Sequence, residues 1–239
     1  MRFHFPEGFP FPIKKVDEAE LAATALRREW LLGEDPIENL TELLEDRGIK
    51  IGLVNGDFDF DACTFFYDDK TPVIAVRCDL PGDRQRFNIA HELGHIMLDV
   101  KDEALLEKAA HRFAAAFLVP EQVARMELGS SRHYLEPHEL FLLKKKYSVS
   151  MAAWVYRAKD LGILSERDAK GMWRDFRSRR WHKKEPGEPF PAEEPTRLKR
   201  LVWRLVAEDV ISRSRAAELL GERLSVFNIQ EDGVVAMSG

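Results

Sequence analysis

Two histidines and a glutamate between positions 91 and 95 have the residue types and the spacing of a metal site. The segment His91-Glu92-Leu93-Gly94-His95 matches the pattern H-E-x-x-H. Side chains four residues apart on a helix lie about 40° apart around its axis and about 6 Å apart along it, so both imidazoles can reach one ion. Glu92 projects beside them, where its carboxylate can accept a proton from a water that attacks an amide carbonyl. The pattern therefore predicts a hydrolytic metal centre.

The surroundings of the motif strengthen this interpretation, because the bare pattern arises by chance in roughly 1 in 50 chains of this His and Glu content. Polar side chains cluster within about a third of the circumference of the predicted helix, and most other positions are apolar. The polar members are Asn88, His91, Glu92, His95 and Asp99. Neutral imidazoles together with one carboxylate are ligands typical of Zn²⁺, which lowers the pKa of a bound water to about 7. The pattern does not distinguish Zn²⁺ from Mn²⁺ or Fe²⁺.

A catalytic zinc site needs a third protein ligand, and the residues alone leave several candidates for it. Glu103 and Glu107 lie on the next predicted helix, but the helix dipole favours an acid in the first turn, such as Glu103, without any metal. His111, one turn after Glu107, could be a ligand, a hydrogen-bond donor to the transition state or a structural residue. Asp99 is better placed to accept a hydrogen bond from a ligand histidine. The weak candidates for an oxyanion donor are His111, Arg112, His133 and Tyr134.

Helices and a small sheet must position these residues. Hydrophobic periodicity predicts helices over residues 17–32, 84–100, 103–118, 120–129, 197–207 and 212–220. A further helix is predicted to begin at Asp35-Pro36, an N-cap followed by proline, and to end at Gly48. Strands are predicted at 49–54, 63–67 and 73–76, which favours a small antiparallel sheet. We expect an α+β fold: a compact zinc-peptidase core of N-terminal helices, sheet, metal-motif helix and following helix, with an all-helical C-terminal extension.

Composition and pattern divide the chain into four parts. They are an extended Pro-rich N-terminal arm (1–16), the core (17–130), a basic helical region packed on the core (131–185), and a Pro-rich linker with a C-terminal helical segment that could resemble a helix-turn-helix (186–239). Between Phe141 and Glu185, thirteen Lys and Arg residues face five acids, giving a charge of +8 in a chain whose net charge is −5. This asymmetry suggests two functional regions.

The basic region allows a nucleic-acid interpretation that we do not favour. Residues 142–147 and 150–161, joined by a turn at Ser148, could pass for a helix-turn-helix, and Trp154, Trp173 and Trp181 lie among Arg and Lys residues. We consider a helical pair that packs on the core, with a basic outer face, the better interpretation. DNA binding through 141–185 therefore stays a secondary expectation.

Overall composition excludes several classes of protein. With 45% hydrophobic and 32% charged residues, the 239-residue chain is expected to be globular rather than disordered. No run approaches the ~20 apolar residues that a membrane span needs, and the first fifteen residues do not read as a secretory signal. Two cysteines cannot form a disulfide framework, so we expect a reduced, cytoplasmic protein.

Segments before and after the metal motif carry a further signal. They are Pro72–Val76, Arg86–His95, Phe113–Pro120, Val149–Gly162 and Ile211–Gly221. Together they resemble the ImmA/IrrE family of metallo-endopeptidases, most strongly around the metal-motif helix and more weakly beyond Pro186. The resemblance covers most of the chain from about Asp17.

This resemblance implies a zinc endopeptidase in which His91, His95 and Glu107 bind the metal and Glu92 is the general base. His111 stands where the family usually has Asn, and the gap between His95 and Glu107 is short for the family. Members typically cleave, or otherwise inactivate, a helix-turn-helix repressor, which releases mobile-element or stress-response genes. Many carry an Xre-type DNA-binding domain before the peptidase. This chain has no room for one, so the expected partner is a separate Xre-type repressor encoded nearby.

Two other functions stay open at this point. One is a DNA-binding regulator that keeps the metal fold only as a scaffold, for which we expect DNA affinity with a steep salt dependence. The other is a protein that displaces a repressor without cutting it, for which Glu92 would be dispensable.

Overall fold

The computed structural model describes residues 2–56 and 59–225 of the chain. The chain divides into two compact units, residues 1–194 and 195–239, and the second is described as far as residue 225. Residue 1 of the predicted arm and residues 226–239 of the predicted C-terminal part lie outside the described residues. Three strands follow one another along the chain, with helices before and after them, which agrees with the α+β prediction. None of the helices in these ranges has the length and apolar content that crossing a bilayer requires.

The first unit contains all the strands of the described chain and most of its helices. In chain order its elements are β1 (Phe11–Pro12), α1 (Glu18–Glu29), α2 (Leu40–Asp46), β2 (Lys50–Val54), β3 (Ala62–Tyr67), β4 (Thr71–Arg77), α3 (Gly82–Met97), β5 (Leu98–Asp99), α4 (Glu103–Leu118), α5 (Glu121–Leu128), α6 (Pro137–Tyr147), α7 (Met151–Asp160) and α8 (Glu166–Ser178). The metal motif lies in the second half of α3.

The main sheet is mixed, so the prediction of a small antiparallel sheet is wrong for one strand. Its order is β2-β4-β3, with β3 antiparallel and β2 parallel to β4. The hairpin from β3 to β4 turns at Asp68 and Asp69, both in the left-handed region, and occupies one edge of β4. β2 pairs with the other edge of β4, so β2 and β3 lie on opposite sides of β4, about 10 Å apart. The alternation of apolar and polar residues within each strand does not indicate that β4 lies between β2 and β3.

The predicted helix start at Asp35-Pro36 is also wrong. α2 begins at Leu40, and the side chain of Asn39 caps it by accepting a hydrogen bond from the Glu42 amide at 2.8 Å. The preceding carbonyl groups are engaged elsewhere, because the buried Arg27 guanidinium donates to the Gly33 and Asp35 carbonyl oxygens at 2.9 and 2.7 Å. An interaction with a side chain from α1 thus holds this segment out of the helix.

The core of the first unit forms where α3 lies between the sheet and α4, and α4 packs in turn on α1. The side chains of Ile74 and Val76 on β4 are fully buried. α3 approaches α4 closely at Gly94, where an added Cβ atom would lie 3.0 Å from the Ala110 Cα atom. The two helix backbones can approach this closely because Gly94 has no side chain.

Strand β5 ends the metal-motif helix and connects it to the N-terminal arm. α3 stops at Met97 rather than continuing to residue 100, because Leu98 and Asp99 pair in parallel with Phe11 and Pro12 of β1. The amide of Ile13 donates to the Asp99 carbonyl oxygen at 3.0 Å, and the Ile13 side chain is buried. The C-terminal end of α3 is therefore held by the arm.

Residues 186–194, which we call the Pro-rich segment, hold the other end of α3. The Gly82 amide donates to the Phe190 carbonyl oxygen at 2.9 Å. Arg86, which is 1% exposed, forms an ion pair with Glu193, whose second carboxylate oxygen accepts from the Thr41 amide at 2.7 Å. The first compact unit ends at residue 194, so the Pro-rich segment belongs to the same unit as the core.

Buried ion pairs join the basic helical region to the rest of the first unit. Arg157 on α7, 1% exposed, pairs with Glu20 on α1, and Arg112 on α4 binds the same carboxylate at 2.9 Å. On α6, the Lys144 ammonium group lies 2.8 Å from carboxylate oxygens of both Asp83 and Glu185. Arg157 and Lys144 of the basic helical region therefore form ion pairs within the first unit.

The described part of the second unit is a helical pair. α9 (Arg197–Ala207) and α10 (Arg213–Leu219) match the two predicted C-terminal helices closely. They pack through Val202, Ala216 and Ala217, and Ser212 caps α10 by accepting a hydrogen bond from the Arg215 amide at 3.2 Å.

Replacing Gly94 by valine is expected to lower the free energy of unfolding by about 1 to 3 kcal/mol, because the new side chain presses on the backbone of Ala110. The same change at Gly171, inside α8, meets no atom within 4 Å and is expected to change stability by at most about 0.5 kcal/mol. Urea midpoints of the two variants and the wild type give the comparison. Equal midpoints for the two variants would contradict the close approach of α3 and α4.

The carboxylate of Glu20, whose side chain is 13% exposed, is expected to make stability depend on acid pH. Burial alone would raise its pKa, but hydrogen bonds and charge from Arg157 and Arg112 outweigh burial, so the pKa of Glu20 is lowered. A lowered pKa in the folded state stabilises the protein above the unfolded value of about 4.3, and this stabilisation is lost as the pH falls through the folded pKa.

We therefore expect Glu20→Gln to cost about 3 kcal/mol at pH 7 and progressively less as the pH falls below about 4. Glu121→Gln removes a comparable but exposed pair with Arg125 and should cost at most about 0.5 kcal/mol. Denaturation at pH 7 and pH 3.5 tests this, and a Glu20→Gln cost that does not shrink in acid would be evidence against it.

Candidate metal centre

α3 presents the two histidines of the motif to α4. His91 and His95 are one turn apart, their imidazole centroids are 4.8 Å apart, and their Nε2 atoms lie 3.1 Å from each other. Each side chain is about one-fifth exposed, so the nitrogens lie at the edge of the core rather than inside it. The helix spacing has thus brought the two potential ligand atoms together.

Glu107, on the facing helix, completes a triangle of potential ligand groups, which we call the triangle of ligand atoms. One of its carboxylate oxygens lies 3.3 Å from His91 Nε2 and the other lies 3.3 Å from His95 Nε2. Ligands about 2.0 to 2.1 Å from a tetrahedral zinc ion are about 3.3 Å from each other. The spacings of 3.1 Å between the nitrogens and 3.3 Å from each nitrogen to a different carboxylate oxygen are of this size.

Glu92 belongs to the same cluster but occupies a different environment. Its ligand atom and those of His91 and His95 all lie within 4.8 Å of one another. Its side chain is 8% exposed, whereas that of Glu107 is 62% exposed. The Thr64 hydroxyl on β3 donates to the Glu92 carbonyl oxygen at 3.4 Å, which ties this residue to the edge strand of the sheet. We call His91, Glu92, His95 and Glu107 together the candidate metal centre.

Burial sets the protonation of this cluster. Burial, and after it the neighbouring His95, lowers the pKa of His91 to about 4, so its imidazole is neutral near pH 7. Burial also raises the pKa of Glu92, against the lowering effect of Thr64 and His95. A neutral imidazole is the form that binds metal, and a carboxylate with a raised pKa is a stronger base.

The other acids considered for the metal lie away from the triangle of ligand atoms. Asp99 falls in β5 after the helix has ended, and its side chain is exposed. Glu103 is exposed in the first turn of α4, whose start is capped by Asp102 accepting from the Ala104 amide at 3.0 Å. Of the three acids that the sequence suggests near the metal, Glu107 is the one that lies beside the two histidines.

His111 lies beside the candidate metal centre, with its ring 6.5 Å from that of His91. It packs between Phe87 and Tyr156, at centroid distances of 5.0 and 5.9 Å, and burial lowers the pKa of its imidazole. Tyr156 on α7 was not singled out from the sequence. Only the packing of α7 on α4, which no periodicity encodes, brings it to the site.

The other three residues considered as oxyanion donors are engaged elsewhere. Arg112 binds Glu20, as described above. His133 is almost fully exposed, 3.2 Å from Asp168, and the Tyr134 hydroxyl donates to Asp175 at 3.4 Å. Of the four candidates, His111 is the one that lies at the site.

The helix pair considered for DNA binding is α6 and α7, with Ser148 in the left-handed region between them. Besides Lys144 and Arg157, Lys146 pairs with Glu127 at 2.6 Å and Arg179 with Asp175 at 2.9 Å. These contacts reduce the number of cations in the region that are free to meet phosphates.

Comparisons with known proteins agree with the metal motif. Residues 50–159, which run from β2 to the end of α7, match the IrrE N-terminal-like domain model of peptidase family M78. No curated protein matches the chain significantly in sequence. A solved structure titled Mycobacterium tuberculosis transcriptional regulator is similar over 60% of this chain, at 20% identity and a TM-score of 0.43, and this chain spans about half (46%) of its length.

The family match and the metal-motif helix concern the same part of the molecule, since the matched residues include all four members of the candidate metal centre. The match over residues 50–159 confirms the resemblance to the ImmA/IrrE peptidases for this part of the chain.

Proposed function

We propose that this protein is a zinc-dependent endopeptidase. His91, His95 and Glu107 are its metal ligands and Glu92 is its general base. The observation that carries the proposal is the pair of imidazole nitrogens, 3.1 Å apart, each of which lies 3.3 Å from one oxygen of the Glu107 carboxylate. Two imidazoles and a carboxylate suit Zn²⁺ better than Mg²⁺ or Ca²⁺, and Mn²⁺ and Fe²⁺ are the alternatives to test.

The bound ion would supply Lewis acidity, which polarises a peptide carbonyl and makes water a nucleophile near neutral pH. Glu92 would accept the proton of the attacking water and deliver it to the leaving amine nitrogen. Its buried position and raised pKa suit both halves of that transfer. His91 and His95, held by one helix, would keep the ion in a fixed position relative to this carboxylate.

The proposed substrate is a protein, a helix-turn-helix repressor of the Xre type encoded near this chain. This part of the proposal follows from the family, whose members act on such repressors, and cleavage would relieve repression of stress-response or mobile-element genes. A repressor recognised by this chain would have to present an extended segment to the candidate metal centre, because a peptide bond inside a helix is shielded by its neighbours.

Glu92→Gln is expected to keep the fold and the metal but to lower the cleavage rate by at least 10²-fold, because the near-isosteric amide cannot accept the proton. Glu103→Gln, the same change on an exposed turn of α4, should leave cleavage unchanged. Metal content, circular dichroism and cutting of the neighbouring repressor are compared for both. If Glu92→Gln cuts at the wild-type rate, the mechanism is wrong, and if it frees the repressor from DNA without cutting, a displacing regulator is the better description.

Glu107→Ala is expected to lose most of the bound zinc, because a site with two protein ligands is left. Glu103→Ala and His111→Ala should retain zinc, since neither side chain belongs to the triangle of ligand atoms. Zinc per chain after dialysis, measured by mass spectrometry, distinguishes the three variants. Full retention in Glu107→Ala together with loss in His111→Ala would move the third ligand to His111.

A further inference from the structure

We infer that a groove beside His91 binds a bulky apolar side chain of the substrate, close to the bond that is cleaved. The inference rests on the proposed peptidase function, because it takes the candidate metal centre as the place of cleavage. It adds a substrate preference that the metal ligands by themselves do not determine.

The groove is a cavity of about 650 Å³ that begins at His91 and His111. Arg84, Phe87 and Asn88 continue its wall along one face of α3 toward the N-terminal end of the helix. Seven residues of helix rise about 10 Å, which is the length of about three residues of extended peptide. The volume falls within the range of sites that enclose most of a ligand.

The opposite wall comes from α7 and from the chain after α8. Ala152 and Ala153 contribute only methyl groups, which leaves space between the walls, and Tyr156 borders that space with 41% of its surface exposed. Residues 181–189 close the far side. A peptide in the groove would therefore contact three different parts of the first unit.

Aromatic rings make the end of the groove nearest His91 apolar and rigid. The rings of Phe87, His111 and Tyr156 contact one another in series, and Tyr156 packs on Trp173 at a centroid distance of 4.3 Å. The series continues through Phe176 to Trp181, at 5.6 and 5.4 Å, and Trp181 itself lines the groove. Rings fixed by other rings lose little freedom when they enclose an apolar side chain.

The buried charges of the groove do not favour a charged side chain. The Lys144 ammonium group is 2.8 Å from both Asp83 and Glu185, and all three side chains are more than 90% buried. Arg84, whose side chain is 57% exposed, donates to Asp61 at 2.9 Å. At the Lys144 cluster a charged substrate group would have to displace one of these partners, whereas an apolar group only displaces water.

Peptides of the repressor's cleaved sequence, with Ala, Leu or Phe at each position flanking the scissile bond, test the preference on the full zinc-loaded chain. We expect kcat/KM to be at least about tenfold higher for Leu or Phe than for Ala at one of these positions. Ala153→Leu, which fills the groove, should make kcat/KM highest for the Ala peptide. Tyr156→Ala should make kcat/KM similar for the three peptides. Tyr134→Ala, at a tyrosine of equal exposure outside the groove, should leave the preference unchanged.

Binding gives a second measurement that does not need cleavage. Fluorescence anisotropy of the labelled peptides with the Glu92→Gln chain should show tighter binding of the Leu and Phe peptides, and Tyr156→Ala in that background should remove the difference. If the wild type cuts no peptide and no repressor, the proposed function fails while binding still tests the groove. If peptides are cut and bound without regard to side-chain size, or Tyr134→Ala acts like Tyr156→Ala, the inference is overturned and the peptidase proposal stands.

Discussion

The close approach of α3 and α4 at Gly94 and Ala110 determines the geometry of the candidate metal centre. An added Cβ at Gly94 would lie 3.0 Å from the Ala110 backbone, so the helices could not come closer with a side chain there. Gly94 lies next to His95, and Ala110 lies one turn after Glu107. Their contact therefore brings the Glu107 carboxylate to 3.3 Å from both imidazole nitrogens. Because the proposed ligands come from two helices, the geometry of the candidate metal centre depends on this spacing.

The position of α3 itself is fixed at both ends by chain segments distant in sequence. At its start, the Pro-rich segment bonds Gly82 and places Glu193 on the buried Arg86 guanidinium. At its end, pairing of β5 with β1 stops the helix one residue before Leu98. The helix bearing the two histidines can then neither slide nor rotate without breaking buried polar contacts, and unmade buried hydrogen bonds are costly.

Local sequence patterns correctly predicted elements whose bounds depend on their own caps and periodicity. They gave wrong bounds or pairings where a residue distant in sequence determines the structure. α4 begins and ends where predicted, because Asp102 caps its start and its apolar stripe is continuous. The start of α2 was misplaced because Arg27, from another helix, binds the carbonyl oxygens that precede it. The pairing of β2 was missed for a related reason: a strand's alternation specifies which face is buried but not the direction of its neighbour.

The candidate site shows the same division between local and tertiary information. The i, i+4 spacing of His91 and His95 is local, and the structure brings their nitrogens together. Glu103, Glu107 and His111 follow one another at four-residue intervals on α4, so periodicity places all three on nearly the same side of that helix. The three residues differ in their distance along α4 from the point where α4 crosses α3. Because the crossing lies one turn beyond Glu107, this carboxylate faces the gap between the two imidazoles, while the next turn carries His111 past them to the wall of the groove.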